Sequence, residues 1–362
     1  MSYFGKDINM LLRKIIYTIL GLLFISQGIV YSQKPYRVGT TAASFLEIGV
    51  GSIGISLGDA YTASANDLSA IYWNPAGLAN MERNEVLFVY QPWVADINSM
   101  FAGLGIMVPQ IGTLGLSIFG LDYGDIEVTN MDYQEGTGEK YTAYDYVVSL
   151  SYARKLATWF SFGAVAKYVT SKIWHTQGNA FALDLGVQVQ THLLSFSGQR
   201  EDGMKIGMSI SNYGTRMQYD GSDLLFPVDI DPEGSGNYQN SQAKHNLREW
   251  ELPLLFRVGI ALDPIKTSNQ RITVSADALH PNNMSEYVNV GAQYQFTSPG
   301  IGDFFLRGGY KAIFASDSQY GATFGAGFRL WLAANNALKV DYAFHSIGVL
   351  GNIHCSSIGF TF

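Results

Sequence analysis

The sequence predicts an all-β protein: a transmembrane outer-membrane β-barrel of about fourteen antiparallel strands, with an N-terminal plug in its lumen. Three observations predict it. From Glu85 to Phe362, apolar and polar residues alternate with a period of two, in segments of roughly 9 to 12 residues, the length at which a tilted strand crosses a bilayer. Lys167, Arg257, Arg271, Arg307, Arg329 and Lys339 all fall on the phase opposite the apolar one. Charged residues make up only 15% of the 362, against about 25% in a soluble domain, and no run of about 18 apolar residues follows the N-terminus to suggest a membrane helix.

At the N-terminus, Arg13 and Lys14 precede the apolar run Ile15 to Ile25, and Val30-Tyr31-Ser32 offers a cleavage site. Residues 1–32 read as an export signal, with Met10 as an alternative start and Gln33 as the first mature residue. The single cysteine of the exported chain, Cys355, cannot form an internal disulfide and reads as a small filler in the last strand. Residues 33–84 read as the plug. Its Gly49–Ala79 stretch is rich in Gly, Ala and Ser, and ends in the compact turn Trp73-Asn74-Pro75-Ala76-Gly77-Leu78.

Residues 85–362 read as the barrel, with strands starting near 86, 99, 113, 142, 158, 179, 203, 251, 270, 286, 303, 319, 336 and 352. In Phe160–Tyr168, for example, Phe160, Phe162, Ala164, Ala166 and Tyr168 share one face, and Ser161, Gly163 and Lys167 the other. A soluble sandwich also alternates, so the charges decide. An Arg or Lys facing lipid near the midplane costs about 2–4 kcal/mol, and a barrel must therefore turn these side chains inward. The first three strands carry apolar residues on both faces, so their inner face must meet the plug or a greasy ligand. Connections alternate between short turns, such as 109–112, and longer polar loops, above all Asp122–Tyr141 and Gly214–Trp250. Short turns belong to the periplasm and long loops to the exterior. An even strand count then places both N- and C-termini on the periplasmic side. Ile358, Phe360 and Phe362 form a terminal aromatic strand like the one such barrels present for assembly.

Several patterns are discounted. Gly49–Gly54 matches G-x-G-x-x-G and Gly54–Gly58 matches G-x-S-x-G, but neither lies in the strand–helix setting its chemistry requires. Asp229–Gly234 resembles the start of a calcium loop, yet Asn240 stands where the final Glu belongs. The six histidines lack metal-ligand spacing, so no catalytic residue, cofactor or metal is expected. The net charge of −7 without a basic block argues against nucleic acid. Arg257, Arg271, Arg307 and Arg329, with Asp277, Asp341 and Lys167 on the same phase, read as a bracing network in the lumen, or else as a polar path for an anionic group or a peptide.

Gly54-Ile55-Ser56-Leu57-Gly58-Asp59-Ala60, then Asn66-Asp67, then Ile71-Tyr72-Trp73-Asn74-Pro75-Ala76-Gly77-Leu78-Ala79 resembles the PorV/PorQ family, which looks like a branch of the FadL-type barrels. The match covers about thirty residues of the plug. The resemblance implies a fourteen-stranded barrel whose hatch turn, here Asn74, Pro75 and Ala76, blocks the lumen. It also implies a non-enzymatic role in type IX secretion, with a translocon barrel or secreted cargo as partner and outer-membrane lipid around the wall. The FadL side implies instead passive transport of a hydrophobic ligand, and a purely structural barrel is a third reading. The acidic, polar loops favour a protein partner.

Overall fold

A computed structural model describes residues 38–195, 198–231, 233–234, 240–315, 318–332 and 336–362. The export signal read at 1–32 lies outside these residues, as does the start of the 33–84 segment. The wall begins with β1 (Glu85–Pro92), β2 (Asn98–Val108), β3 (Gly112–Glu127), β4 (Lys140–Ala157), β5 (Phe160–Ile173), β6 (Thr176–Gln190) and β7 (Lys205–Gly214). Three short strands follow: β8 (Tyr219–Gly221), β9 (Leu225–Val228) and β10 (Ser241–Lys244). The wall resumes with β11 (Leu255–Lys266), β12 (Gln270–Pro281), β13 (Tyr287–Ser298), β14 (Gly302–Ile313), β15 (Ala322–Trp331), β16 (Ala337–Ser346) and β17 (Asn352–Thr361). Sequential neighbours pair antiparallel, β7 pairs with β11, and β1 pairs with β17, so fourteen strands close without an edge. Closure leaves every ladder group a partner inside the bilayer, which an open sheet could not do.

The period-two pattern becomes burial. On β5, Ser161, Gly163, Val165, Lys167 and Val169 are buried while Ala166 and Tyr168 are exposed to lipid. Lys167, Arg257, Arg307, Lys339, Asp277 and Asp341 are all buried on the inward phase. No helix among the described residues is long and apolar enough to cross a membrane.

The long loops differ from expectation. β3 and β4 run for 16 and 18 residues, beyond the expected length, because their hairpin continues past a register shift at Asp122/Asp125. The expected Asp122–Tyr141 loop therefore shrinks to 128–139. The Gly214–Trp250 segment is not free either. Its β8 pairs with β6, β9 pairs with β10, and Met217 is buried where it bridges Trp250.

The turns at 109–111, 158–159, 267–269 and 299–301 lie at one end of the barrel, together with Phe362, whose N–H bonds the Asn84 carbonyl at 3.1 Å. The first described residues do not join them there. Thr41 bridges Glu251, and the Ala42 N–H bonds the Glu251 carbonyl at 2.9 Å, next to the opposite end of β11. The expectation that both termini share one end concerns an N-terminus outside the described residues. The described leader segment runs from the loop end at Thr41 to the turn end at Asn84.

Candidate functional site

Small residues shape the leader. Its regular pieces are the 3-10 turns Ser44–Glu47 and Pro75–Asn80 and the short helices Ser52–Ser56 and Ala70–Trp73. Trp73 is 1% exposed and donates its Nε1–H to the Val50 carbonyl at 2.8 Å. A side chain at Gly54 would overlap the indole, and one at Gly77 would overlap the Ala65 carbonyl. Glycine serves close approach here. Ser56 merely donates to the Ile53 carbonyl at 2.9 Å.

Asn74 locks the turn. Its Oδ1 accepts from the Ala76 N–H at 3.2 Å, capping the Pro75–Asn80 turn with Pro in the first position. Its Nδ2 donates twice, to the Thr62 carbonyl within the leader at 2.9 Å and to the Val187 carbonyl on β6 at 3.0 Å. Asn74 is fully buried, so its amide depends on these partners; the Thr62 carbonyl also accepts from Gln188 Nε2 at 3.2 Å.

The wall meets the leader through pairs of inward glycines that face each other across neighbouring strands. Gly163 and Gly186 are register partners on β5 and β6, and side chains there would run into Asn74 and Pro75. Gly207 and Gly259 on β7 and β11 lie against Thr62, and Gly291 and Gly309 on β13 and β14 against Leu57. Gly105 and Gly115 on β2 and β3 lie against Leu68 and Ile71. Sequence reasoning missed these seats. The available signal was glycine recurring on the polar phase, but which glycines meet depends on register.

Polar contacts add to the packing. The Asp277 carboxylate accepts from the Thr62 N–H at 2.9 Å. The Ser52 hydroxyl lies 2.7 Å from that of Ser357 and donates to the Cys355 carbonyl at 3.0 Å, so Cys355 is inward and packed on the leader. Lys311 pairs with Asp59 at 2.6 Å. At the loop end, Asn283 donates to both oxygens of Glu47, at 3.0 and 3.1 Å. Burial nonetheless pushes the Glu47 carboxyl above its ordinary range, and the Asn283 bonds and the charges of Lys311 and Arg257 only partly oppose this. Burial likewise raises the Tyr72 phenol, against the opposing charge of Arg257.

The expected lumen network is several separate units. Lys167 pairs with Asp184 at 2.5 Å and donates to Asn212 Oδ1 at 2.8 Å. Arg257 is 2% exposed, donates to Ser211 at 2.9 Å, and lies 5.2 and 5.9 Å from the ring centroids of Tyr72 and Trp73. It therefore reads the leader's aromatic pair rather than a carboxylate. Arg271 pairs with Asp263. Arg307 pairs with Asp341 at 2.6 Å and donates to Gln293 at 2.7 Å, while Arg329 sits 3.9 Å from both Asp303 and Glu82. The units separate because successive strands carry their charges at different heights. Four of the residues, Arg271, Arg307, Arg329 and Asp341, do converge on a cavity of about 130 Å³. Lys167, Arg257 and Asp277 do not. A second cavity of about 480 Å³ at the turn end shares Glu82, Arg329 and Lys339 with the first, so the turn-side lumen is polar. The Lys339–Glu85 pair, at 2.6 Å, joins the two ends of the chain's wall and was not anticipated.

The first three strands have their apolar inner face covered by the leader. Phe45 stacks on Phe119 at 5.9 Å between centroids, and Leu68 lies over Gly103 and Gly105. At the loop end, Met131, Tyr133, Phe314, Val349 and Leu350 stand exposed, Met131 by 92%. Among the described residues no three His, Cys, Asp or Glu side chains gather as metal ligands.

A family model described as type IX secretion system protein PorV matches residues 31–232. No curated protein matches the chain. Among solved structures, the CymD monoaromatic hydrocarbon channel is similar with a TM-score of 0.53 at 14% identity, over 87% of this chain and 98% of that one. The Pseudomonas putida toluene transporter TodX is similar with a TM-score of 0.51 at 10% identity, over 86% and 96%. At such identities the likeness is one of fold.

Proposed function

The chain belongs to the PorV family of type IX secretion proteins, matched over more than half its length, and on that premise we propose that it is a non-enzymatic accessory of secretion across the bacterial outer membrane. Its loop end docks the translocon barrel or the secreted cargo. The observation that carries this reading is the set of exposed apolar side chains on three loop-end connections, Met131, Tyr133, Phe314, Val349 and Leu350. Large apolar side chains left exposed on three loop-end connections suit contact with a partner.

In this reading residues 1–32 are the signal peptide, 33–84 the plug and 85–362 the barrel, with Phe362 in the periplasm. Tyr72–Gly77 form the plug turn, and Lys167, Arg257, Arg271, Asp277, Arg307, Arg329 and Asp341 brace the lumen around it. Changing Met131, Tyr133, Phe314 and Val349 together to Ser should remove the translocon barrel or cargo from material co-purified out of native membranes, while the barrel still folds. Undiminished capture of those partners would count decisively against it.

A second reading is passive transport of hydrophobic small molecules, supported by the similarity in fold to hydrocarbon channels. It requires the leader to leave the inner face of β1–β3, which it covers. Uptake of toluene into vesicles holding the purified barrel, above that of protein-free vesicles, would favour this second reading.

A further inference from the structure

The strands of the wall end at different heights on the loop side, and one strand edge is left open there. β5 pairs with β4 as far as Ala143, and the Trp174 N–H extends that contact to the Thr142 carbonyl at 3.2 Å. On its other side β4 pairs with β3 up to Lys140 and Glu127. β2, however, begins at Asn98, which stands opposite Asp122. Among the described residues, then, no strand pairs with Tyr123–Glu127 of β3 on the side away from β4. Gly124, Asp125 and Glu127 are exposed, and a side chain added at Gly124 would meet nothing within 4 Å. An edge of this kind is a template on which one more strand can pair.

The charges on the edge say what kind of strand. Asp122, Asp125 and Glu127 stand in register with Tyr144, Thr142 and Lys140, on the outward face of the hairpin. Tyr123 turns to the inner side, where its hydroxyl donates to Asp145 at 2.6 Å. Asp132, Glu135 and Glu139 follow around the hairpin, and Lys140, which pairs with Glu127 at 3.4 Å, is the one base between residues 122 and 140. Neighbouring strands bring same-face side chains to about 5 Å, so lysine or arginine on an added strand would be attracted here. A second copy of the same edge would set carboxylate against carboxylate and be repelled. The hairpin is also held in shape without a partner, since Asn130 Oδ1 accepts from the N–H groups of Asp132 and Tyr133 at 3.0 and 2.7 Å.

We propose that the Tyr123–Glu127 edge of β3 receives an extended polypeptide segment rich in lysine or arginine, which pairs with it as an added strand. Such a segment would belong to the loop-end partner, so its biological source rests on the docking reading above. The pairing itself does not.

Fluorescence anisotropy tests this with a short labelled peptide of alternating Lys and Val, titrated with the full-length barrel in detergent. The wild type should bind it at least about tenfold more tightly than a peptide of alternating Lys and Pro, which keeps the charge and loses ladder donors. The triple variant D122N/D125N/E127Q should bind the Lys/Val peptide about tenfold more weakly than wild type, because three cross-strand charge pairs are lost. D229N/D231N, in another loop-end connection, should bind it as wild type does. Amide hydrogen exchange should slow at residues 123–127 of the wild type when the Lys/Val peptide is bound. Equal binding of the Lys/Val and Lys/Pro peptides would overturn the proposal, reducing the effect to charge alone. So would undiminished binding by the triple variant, or slowed exchange only elsewhere. Dimers of the barrel with residues 123–127 protected in the absence of peptide would overturn it in favour of a second copy. Purified barrel and peptide suffice for every arm, so loss of partner capture in the serine variant and loss of strand-dependent peptide binding are separate failures.

Discussion

Asn74 uses every polar atom of its side chain, and aspartate cannot replace it. Asn74→Asp would set a carboxylate oxygen against two carbonyls, and Asn74→Ala would take away the amide donor to the Val187 carbonyl, leave the Thr62 carbonyl only its Gln188 donor, and uncap one turn. The alanine variant should lose about 2–3 kcal/mol in equilibrium denaturant unfolding in detergent, and the aspartate variant more. Glu47 gives a pH-dependent counterpart. Burial holds its folded carboxyl above the ordinary value of 4.5, so the folded state holds the proton more tightly than the unfolded one. Glu47 therefore favours folding most below about 4.5, and that contribution is lost as pH rises through the folded value. Glu47→Gln removes this slope. Its stability relative to wild type should improve between pH 4 and pH 8, roughly in step with that titration, as read by unfolding at several pH values. Of this residue-level chemistry, the sequence showed that the Asn-Pro-Ala turn mattered and that the late arginines faced inward. It did not show which carboxylate each cation meets, since Asp184, Asp263 and Glu85 are set opposite their partners only by register.

Strand phase was legible because period two is local: Ser161, Gly163 and Lys167 could be put on one face without knowing any neighbour. The glycine seats were not, because Gly163 becomes a seat only when β6 brings Gly186 alongside. Strand length beyond the bilayer was also hidden, since β3 and β4 continue as a hairpin where lipid no longer dictates pattern. The seats make an element-scale prediction. The double variant G163L/G186L would place two side chains where Pro75 and Asn74 pack, while the inter-strand ladder needs only backbone. The barrel should still form, as shown by its strand-rich circular dichroism. Its leader should become cleavable by protease and its single-channel conductance in planar bilayers should rise above wild type. An unchanged protease pattern would mean that the seats are not needed to hold the leader.

For the molecule as a whole, orientation can be read with one background cysteine. Cys355 is fully buried, so a maleimide that cannot cross membranes should label the native protein little. Asn130→Cys, in the 128–139 connection, should label on intact cells, and Asn269→Cys, in the 267–269 turn, only after the outer membrane is breached. The reverse pattern would invert the placement of the two ends. The direction of the leader was the largest feature not legible in the chain, because counting strands says nothing about a segment that crosses the interior without pairing in the wall. That crossing has a consequence for biogenesis. Thr41 sits at the loop end while Glu85, where the wall begins, sits at the turn end, and the seam between β1 and β17 joins residues far apart in sequence. The leader must be laid in place before that seam is sealed, like a thread drawn through a sleeve before it is stitched. Any globular module fused ahead of Thr41 would have to make the same passage while still unfolded, so export order, and not barrel strength, sets what this end of the protein can carry.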